Sequence, residues 1–462
     1  MLTKKSGQIL IVVSAILAGI FGNSLQGVAA LTSFAKISDK EAVDDKGGYY
    51  CKPSPGITYA EYLAEHDITA DTLGESISRT GTEYLDSTFP AKSELEFNTL
   101  ITGDEGKVSY LFNIQKTGYY TIDVTYMPLS DSDKDVKRNL YINGEVPFNE
   151  ACGIVFERQW EPENKDFLNK TDTDYKAPPQ IPKGGTQIKS IDSAEKKVTG
   201  PFLFYFEKGD NTITFESVEA SMAIEVVSIT GSNGLLSYEE YLASHADESK
   251  ISEESLSNDG LIVVQAENVY STTSAEIVAM NDRTSPLTIP YHPSNVVLNT
   301  IGGDSWQDPG MGITWRIHAP KRGLYRIGAR FLQNENKDSY CIRELKIDGK
   351  VPFKEAGNLK FSYGSGFQAS LFANDEKDAY YFYLKEGINT LSLTVAMDGS
   401  AENMENTHYP QPLILDYIFA AGEGAKLPKA EAGFGEMFLH KVKAFIGSFT
   451  NEGEGSFGES KN

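Results

Sequence analysis

The chain has 462 residues, of which 40% are apolar, so it is too long for one β-sandwich and can fill two hydrophobic cores. Aspartate and glutamate number 65 against 42 lysines and arginines, which gives a formal net charge of −23. A surface this acidic repels phosphate groups, which argues against nucleic acid and anionic lipid as partners and suits an extracellular protein.

The first thirty residues have the features of an export signal. Basic residues precede an apolar stretch over 9–21, and the small residues that follow allow cleavage after Ala30. We predict a signal peptide over 1–30, with an uncleaved N-terminal anchor as the alternative, and a linker over 31–56. The protein is therefore expected to be secreted or held at the cell surface.

The chain contains an internal duplication. Residues 138–151 read RNLYINGEVPFNEA and residues 343–356 read RELKIDGKVPFKEA, with nine of the fourteen positions identical. Other matched segments follow in the same order in both halves, and two long units of this kind exclude a solenoid of short repeats. We predict two fold units, module 1 over 57–233 and module 2 over 234–424, followed by a C-terminal segment over 425–462.

The local patterns of both modules are those of short strands. Runs such as YYTIDVTY at 119–126 and LYRIGARF at 324–331 are rich in β-branched and aromatic residues. The dipeptides Asn143-Gly144 and Asp348-Gly349 favour tight hairpin turns. Many short strands with glycine-rich turns predict an all-β protein of two tandem antiparallel β-sandwiches of the jelly-roll type.

Helices are expected at three places. Segments 58–66 and 237–245 open the two modules, and the histidines at their ends, His66 and His245, are interpreted as helix-end caps. Apolar residues recur at helical spacing over 433–449, which predicts an amphipathic C-terminal helix. Its apolar stripe is covered either by module 2 or by a separate partner protein.

No catalytic motif is present in the sequence. The six histidines are scattered, and neither H-E-x-x-H nor G-x-S-x-G occurs. The three cysteines, Cys51, Cys152 and Cys341, lack metal-binding spacing and allow one disulfide, which the sequence does not select. We therefore expect a protein that is not an enzyme.

A run of motifs in module 2 is specific to one kind of fold. It contains Ala266-Glu267 in a strand, Trp306 after a Gly-Gly turn, a hydrophobic-D-G hairpin at 347–349 and a G-x-N-x-L strand at 387–391. This order resembles the galactose-binding-like jelly rolls of carbohydrate-binding module families six and thirty-five. The resemblance implies the jelly-roll fold and carbohydrate as ligand.

The resemblance extends over 57–449. This stretch is similar to the N-terminal tandem modules of large bacterial extracellular solute-binding proteins associated with sugar import, here without the solute-binding domain. The implied role is the capture of oligosaccharides for ABC-type import. A solute-binding or membrane transport component is then an expected partner of the helix over 433–449.

A sugar site needs a flat aromatic face for the pyranose ring and planar polar groups for its hydroxyls. In module 1, the long polar insertion over 152–200 carries Trp160 and is either a binding loop or a mobile one. In module 2, Trp306 is either a sugar platform or a core residue, whereas the strand pattern around Trp315 predicts the core. The candidate binding residues of module 2 are Trp306, Asn299, Asp304, Tyr291 and Gln307.

The resemblance also implies a structural calcium ion in module 2. In the resembled families the ion lies between the Ala-Glu strand and an acidic residue of the last strand, places that Glu267 and Asp416 occupy here. Gln265 adds an amide oxygen. Because calcium prefers several hard oxygen ligands, ordinary strand-end carboxylates are the alternative interpretation.

The leading hypothesis is an extracellular, non-catalytic protein that binds an oligo- or polysaccharide. The alternative is a structural or scaffolding surface protein without a sugar site. Exposed aromatic rings beside amide groups would favour binding, and wholly buried tryptophans would favour scaffolding.

Overall fold

The computed structural model describes residues 56–66, 72–89, 98–130, 132–168, 170, 176–292, 294–337, 339–397 and 410–430. Their strands pair in antiparallel fashion into four sheets, which confirms the predicted all-β sandwich class. The predicted signal segment 1–30, most of the linker and the helix over 433–449 lie outside the described residues. No helix among the described residues is both long and apolar enough to cross a membrane.

Module 1 begins with the helix α1 (Tyr59–Ala64). The strands described in it are β1 (Ser76–Thr80), β2 (Asp86–Ser87), β3 (Leu100–Thr102), β4 (Lys107–Ile114), β5 (Gly118–Pro128), β6 (Val136–Ile142), β7 (Ile154–Phe156), β8 (Trp160–Pro162), β9 (Gln180–Pro182), β10 (Gln187–Ser190), β11 (Phe204–Phe206), β12 (Gly209–Glu219) and β13 (Met222–Gly231). One sheet has the order β1-β13-β5-β10, with β3 beside β13 and β11 beside β5, and the other has the order β2-β4-β12-β6-β7. Their facing side chains form one core.

Module 2 begins with the helix α2 (Tyr238–Ser244). Its described strands are β14 (Leu261–Gln265), β15 (Ser271–Thr272), β16 (Ala279–Met280), β17 (Thr300–Gly303), β18 (Gly312–Ala319), β19 (Gly323–Leu332), β20 (Tyr340–Ile347), β21 (Leu359–Ser362), β22 (Gln368–Leu371), β23 (Tyr381–Leu384), β24 (Gly387–Val395) and β25 (Leu413–Ala421). One sheet has the order β16-β17-β25-β19-β22, with β14 beside β25 and β23 beside β19. The other has the order β21-β20-β24-β18-β15-β8-β9 and so includes two strands of module 1.

Within each module, the V-P-F-x-E-A motif contacts the opening helix and holds it in place. Glu150 accepts a hydrogen bond from the Tyr59 backbone N–H at 2.9 Å, and Glu355 accepts one from the Tyr238 N–H at 2.9 Å. The rings of these two tyrosines pack against Phe148 and Phe353, each pair with ring centroids 4.9 Å apart. The V-P-F-x-E-A motif therefore anchors a helix that lies far from it in sequence.

Local sequence signals account for the ends of these helices. A histidine ring nitrogen lies against a carbonyl of the last turn, His66 Nδ1 at 3.4 Å from Tyr62 O and His245 Nδ1 at 2.9 Å from Tyr241 O. Each ring can donate to that carbonyl, in addition to the Glu65 N–H at Tyr62 O and the Ser244 hydroxyl at Tyr241 O. The predicted helix-end caps are confirmed.

The predicted hairpin turns are also confirmed. The backbone φ angles are 51° at Asn143 and 85° at Gly144, and 48° at Asp348 and 80° at Gly349. Two successive positive φ angles define the hairpin turn that Asn-Gly and Asp-Gly favour.

The insertion of module 1 crosses to module 2 and completes one of its sheets. Trp160 of β8 pairs with Thr272 of β15, and Phe167 packs with Ala279 and Leu298. The two modules thus share a continuous sheet, in addition to side-chain contacts.

A buried ion cluster reinforces the junction. Asp192 accepts hydrogen bonds from Lys189 at 2.5 Å, from Lys196 at 2.6 Å and from Lys346 of module 2 at 2.9 Å. Burial by itself raises the pKa of Asp192, but the three lysines hold that pKa well below its usual value. Because an unpaired buried charge costs several kcal/mol, we infer that this cluster opposes separation of the modules.

Candidate functional site

A cleft with a volume of about 730 Å³ lies between the two modules. The insertion and the β6–β7 edge of module 1 form one wall, and segments 273–276 and 309–311 of module 2 form the other. The acidic and aromatic residues that line it are Asp133, Asp135, Glu157, Trp160, Glu195 and Glu276. The cleft thus exists only where the insertion of module 1 meets module 2.

Trp160 is the tryptophan of the chain that borders this cleft. Its backbone lies in β8, and 9% of the residue is exposed. Its indole N–H makes no hydrogen bond to a described residue, whereas those of Trp306 and Trp315 donate to backbone carbonyls at 2.9 and 2.8 Å. Because Trp160 lines the cleft and its N–H has no described protein partner, this donor is available to solvent or to a ligand.

The pKa values of two carboxyl groups on the module 1 wall are shifted in opposite directions. Asp135 accepts a hydrogen bond from the Arg158 backbone N–H at 2.7 Å, yet burial raises its pKa to about 6. Glu157 pairs with Lys189 at 2.7 Å, and Lys189 opposes the effect of burial so that the Glu157 pKa falls below its usual value. The wall therefore offers hydrogen-bond acceptors to hydroxyl groups, and Glu276 across the cleft is exposed.

Trp306 does not serve as a sugar platform in this structure, contrary to the role predicted for it. The ring is fully buried, its N–H donates to Met311 O at 2.9 Å, and the Arg343 guanidinium lies 4.2 Å from the ring centroid. No ring face remains for a ligand, so the core alternative applies. Met311 lines the cleft, and Trp306 therefore supports its wall from behind. Trp315 is fully buried, as predicted.

Asn299 is also a structural residue, contrary to prediction. It is fully buried, its side-chain amide donates to Asp282 O at 2.8 Å and to Pro290 O at 2.9 Å, and its Oδ1 accepts from Asp282 N at 2.7 Å. These bonds hold the loop before β17 and use both donors of the amide. The other predicted residues of this region, Tyr291, Asp304 and Gln307, are at least partly exposed, and none of them lines the cleft.

Three side-chain oxygens in module 2 are buried without a hydrogen-bond partner at the predicted calcium position. They are Gln265 Oε1, Glu267 Oε2 and Asp416 Oδ1. Burial raises the pKa of Glu267 to about 8, with the charge of Asp416 adding to the effect, and raises the pKa of Asp416 to about 7 against the pull of Arg330. Arg330 pairs with the other carboxylate oxygen of Asp416.

This donor set fits a hard cation in kind. Two carboxylates and an amide with unsatisfied oxygens are ligands that calcium accepts, although calcium needs six or more oxygens and therefore also water or backbone carbonyls. Among the residues that the structure describes, no group of three or more histidine, cysteine, aspartate or glutamate side chains is arranged to hold a metal ion.

The cysteines differ in state. Cys152, at the start of the insertion, is disulfide-bonded. Cys341 is buried and free, and its thiol donates to Pro412 O at 3.2 Å.

The sequence provided only weak signals for the cleft residues. Asp135, Glu157 and Glu276 are three of 65 acidic residues, and no motif distinguishes them. Trp160 could be identified from the sequence because it is a tryptophan, with a large flat ring and an N–H donor, in a long polar insertion.

No protein-family model matches the chain, and no curated protein sequence matches it significantly. Among solved structures, the GH26-CBM35 β-(1,4)-mannanase of Podospora anserina is 15% identical with a TM-score of 0.23, and the match covers 37% of this chain and 29% of that chain. A family 35 carbohydrate binding module of Clostridium thermocellum is 13% identical with a TM-score of 0.24, covering 35% of this chain and 96% of that one. The isomalto-dextranase of Arthrobacter globiformis T6 complexed with panose is 10% identical with a TM-score of 0.24, covering 69% and 35%. Scores this low carry neither a ligand nor an activity over to this chain.

Proposed function

We propose that this chain is an extracellular, non-catalytic carbohydrate-binding protein whose ligand occupies the cleft between the modules. The observation that carries the proposal is Trp160, which lines a cleft rich in carboxylates and whose indole N–H has no partner among the described residues. A sugar accepts a hydrogen bond through its ring or hydroxyl oxygens and donates through its hydroxyls. The cleft offers both complements.

The cleft suits a short oligosaccharide bound weakly. Its volume of about 730 Å³ falls in the range of small-molecule sites. Several neutral or charge-assisted hydrogen bonds, each worth on the order of 1 kcal/mol net, less the cost of ordering the ligand, correspond to a Kd on the order of 0.1–1 mM.

The arrangement of carboxyl groups supports binding rather than hydrolysis. A glycosidase needs one free carboxylic acid and one free carboxylate on opposite sides of the scissile bond. Here Asp135 accepts a backbone N–H, and Glu157 is held by Lys189. Both carboxyl groups are therefore already engaged by protein partners, which supports a role for this wall in binding.

The first experiment is an array of xylo-, manno-, cello- and isomalto-oligosaccharides, followed by isothermal titration of the strongest binder with Trp160→Phe. Phenylalanine keeps an aromatic ring in β8 but removes the N–H, so we expect at least a five-fold loss of affinity. Glu276→Gln, at an exposed position of the opposite wall, is expected to weaken binding without changing the melting temperature. Unchanged affinity in both variants contradicts this site, and no binding to any array member contradicts the function.

We extend the proposal to location and partner. The predicted export signal and the disulfide at Cys152 both support a position outside the cytoplasm. Support of oligosaccharide capture for ABC-type import, through contact of segment 433–449 with a solute-binding or membrane transport component, is the physiological role that we propose.

We also propose that Gln265, Glu267 and Asp416 hold a structural calcium ion. Their unsatisfied oxygens support the assignment. The ion would supply positive charge to Asp416 of β25 and to Glu267, which follows the neighbouring strand β14, and so stabilise module 2.

A scaffolding protein without a sugar site is the second candidate function. The burial of Trp306 and Trp315 favours it, because rings enclosed in the core hold strands together and bind nothing. The same oligosaccharide array separates the two candidates.

A further inference from the structure

The edge of module 1 that forms the cleft has an equivalent in module 2. Strands β6 and β7 correspond to β20 and β21 through the repeated motif, and the pairings Val136 with Phe156 and Cys341 with Phe361 match. Residue 135 therefore corresponds to 340, and 157 to 362. By the pairing of β10 with β5 and of β22 with β19, residue 189 corresponds to 370.

In module 1 this edge is closed by charged side chains. The Glu157–Lys189 ion pair, at 2.7 Å, connects the edge strand β10 of one sheet to the residue that follows the edge strand β7 of the other. Lys346 of module 2 joins the same cluster through Asp192.

In module 2 the equivalent edge is open. Serines replace both members of the ion pair, and Ser362 and Ser370 are both exposed. A groove with a volume of about 690 Å³ lies between β21 and β22, the edge strands of the two sheets of module 2.

The groove carries an aromatic ring where the cleft carries a carboxylate. Tyr340, the counterpart of Asp135, is 49% exposed, and its hydroxyl makes no hydrogen bond to a described residue. Lys360, 5.4 Å from the ring centroid, pairs with Asp375 at 2.8 Å. Gln368 also lines the groove; its side-chain nitrogen donates to Ser362 O at 2.8 Å, so its side-chain oxygen is the group that remains for a ligand.

We propose that this groove is a second carbohydrate-binding site, in which the face of Tyr340 stacks on a pyranose ring and Lys360, Asp375 and Gln368 bind hydroxyls. The inference rests on the proposed function, because it assigns the same ligand class to the equivalent edge. A half-exposed aromatic ring with polar groups beside it meets the demands of sugar recognition. The acidic surface of the chain disfavours an anionic ligand, so the sugar chain is a neutral one.

Two sites on one chain predict a dependence on ligand length. A polysaccharide long enough to reach both sites gains effective concentration for the second contact, whereas a hexasaccharide does not. The ratio of the two affinities therefore reports on the groove.

The test uses the full chain and soluble xylan, glucomannan and dextran, with the matching hexasaccharides, in isothermal titration. We expect two sites per chain for one hexasaccharide, and one site in Tyr340→Ala. The paired change Ser362→Glu with Ser370→Lys installs the ion pair of module 1, closes the groove and should also leave one site. Both variants should lower polysaccharide affinity at least five-fold at an unchanged melting temperature.

Ile388→Ala, at a residue 56% exposed on β24 and outside the groove lining, is the matched control and should retain both sites. One site in the unmodified chain, weakened in Trp160→Phe and unaffected by Tyr340→Ala, overturns the second site and leaves the proposed function intact. Absence of binding to every probe overturns both. Binding of a peptide strand along the open edges, with no change on adding sugar, would also overturn the assignment to carbohydrate.

Discussion

Module 1 and module 2 hold their opening helices in the same way, and the final strand of each, β13 or β25, has a β-bulge at the same register. The extra residue is Glu225 between partners of β5 and Asp416 between partners of β19. The modules differ in the side chains around this bulge. The backbone carbonyls of Glu225 and Asp416 accept from Gly81 N and Ala266 N, respectively. The backbone geometry of this bulge was retained after the duplication.

The side chains around the bulge differ between the modules. In module 2, Asp416 is fully buried and has Glu267 and Arg330 beside it. The same register places Thr82 and Thr125 in module 1, where Glu225 accepts a hydrogen bond from Thr186 at 2.6 Å and stays partly exposed. The shared backbone geometry is therefore not sufficient for a buried group of charged side chains, which in module 2 also requires Glu267 and Arg330 in the places of Thr82 and Thr125.

The largest effect is expected from the shared helix anchor. Phe148 and Phe353 are fully buried at equivalent positions, and removing either ring leaves a cavity in its core. Phe148→Ala and Phe353→Ala should each lower the free energy of unfolding by about 3–5 kcal/mol. Urea unfolding followed by tryptophan fluorescence measures this loss, and a loss confined to one variant would show that the anchors are not equivalent.

The calcium proposal predicts a difference between the modules. Calcium at about one hundred times its Kd should stabilise the folded protein by about 2.7 kcal/mol, and Glu267→Gln should abolish this gain. Glu267→Gln keeps the buried Arg330–Asp416 pair, which Asp416→Ala would break. Glu225→Gln is the matched control at the bulge of module 1.

Melting curves with added calcium or a chelator provide the measurement. Equal stabilisation of Glu267→Gln and the unmodified chain would contradict a calcium site at Glu267. An unmodified chain that melts at the same temperature with and without calcium would show ordinary buried carboxyl groups.

The smallest effect is expected at Asp135. Its pKa is about 6 in the folded chain and 3.8 in the absence of the protein environment. Between these values the folded state holds a proton that the unfolded state has lost, so this contribution is fully present below about pH 4 and is lost as pH rises through 6. Asp135→Asn should remove a slope worth on the order of 2 kcal/mol between pH 4 and 7.

The exposed neighbour Asp133 offers the control, since Asp133→Asn should leave this slope in place. Chemical unfolding at a series of pH values follows it. A slope that persists in Asp135→Asn would assign the proton to another group.

Local patterns predicted much of the fold. The Asn143 and Asp348 turns, the histidine caps and the core position of Trp315 all depend on neighbours within a few residues, which the sequence displays directly. The strand class followed from β-branched and aromatic runs for the same reason. Features set by local chemistry were therefore accessible before the structure.

The candidate sites depended on distant contacts and were predicted less well. Trp306 lies between polar residues in sequence, but Arg343 of β20 covers its ring and the Met311 carbonyl accepts its N–H. Asn299 is a residue type that often binds sugar hydroxyls, but its side-chain amide already makes hydrogen bonds to the loop at Asp282, which only the structure shows. Alignment of the two repeats pairs Asp135 with Tyr340, a difference that could have identified the open edge.

The sharing of a sheet across the junction has a consequence for biosynthesis. Trp160 of β8 leaves the ribosome more than a hundred residues before its partner Thr272. At the usual rates of synthesis the insertion waits about 5 to 20 s for the strand that it will join. Until then β8 and β9 pair only with each other, and the other edge of β8 has no partner strand. Pro182 on β9 has no N–H to donate to a further strand. The nascent chain therefore passes through a stage at which this hairpin, with the partner edge not yet made, is open to chaperones, proteases and other chains.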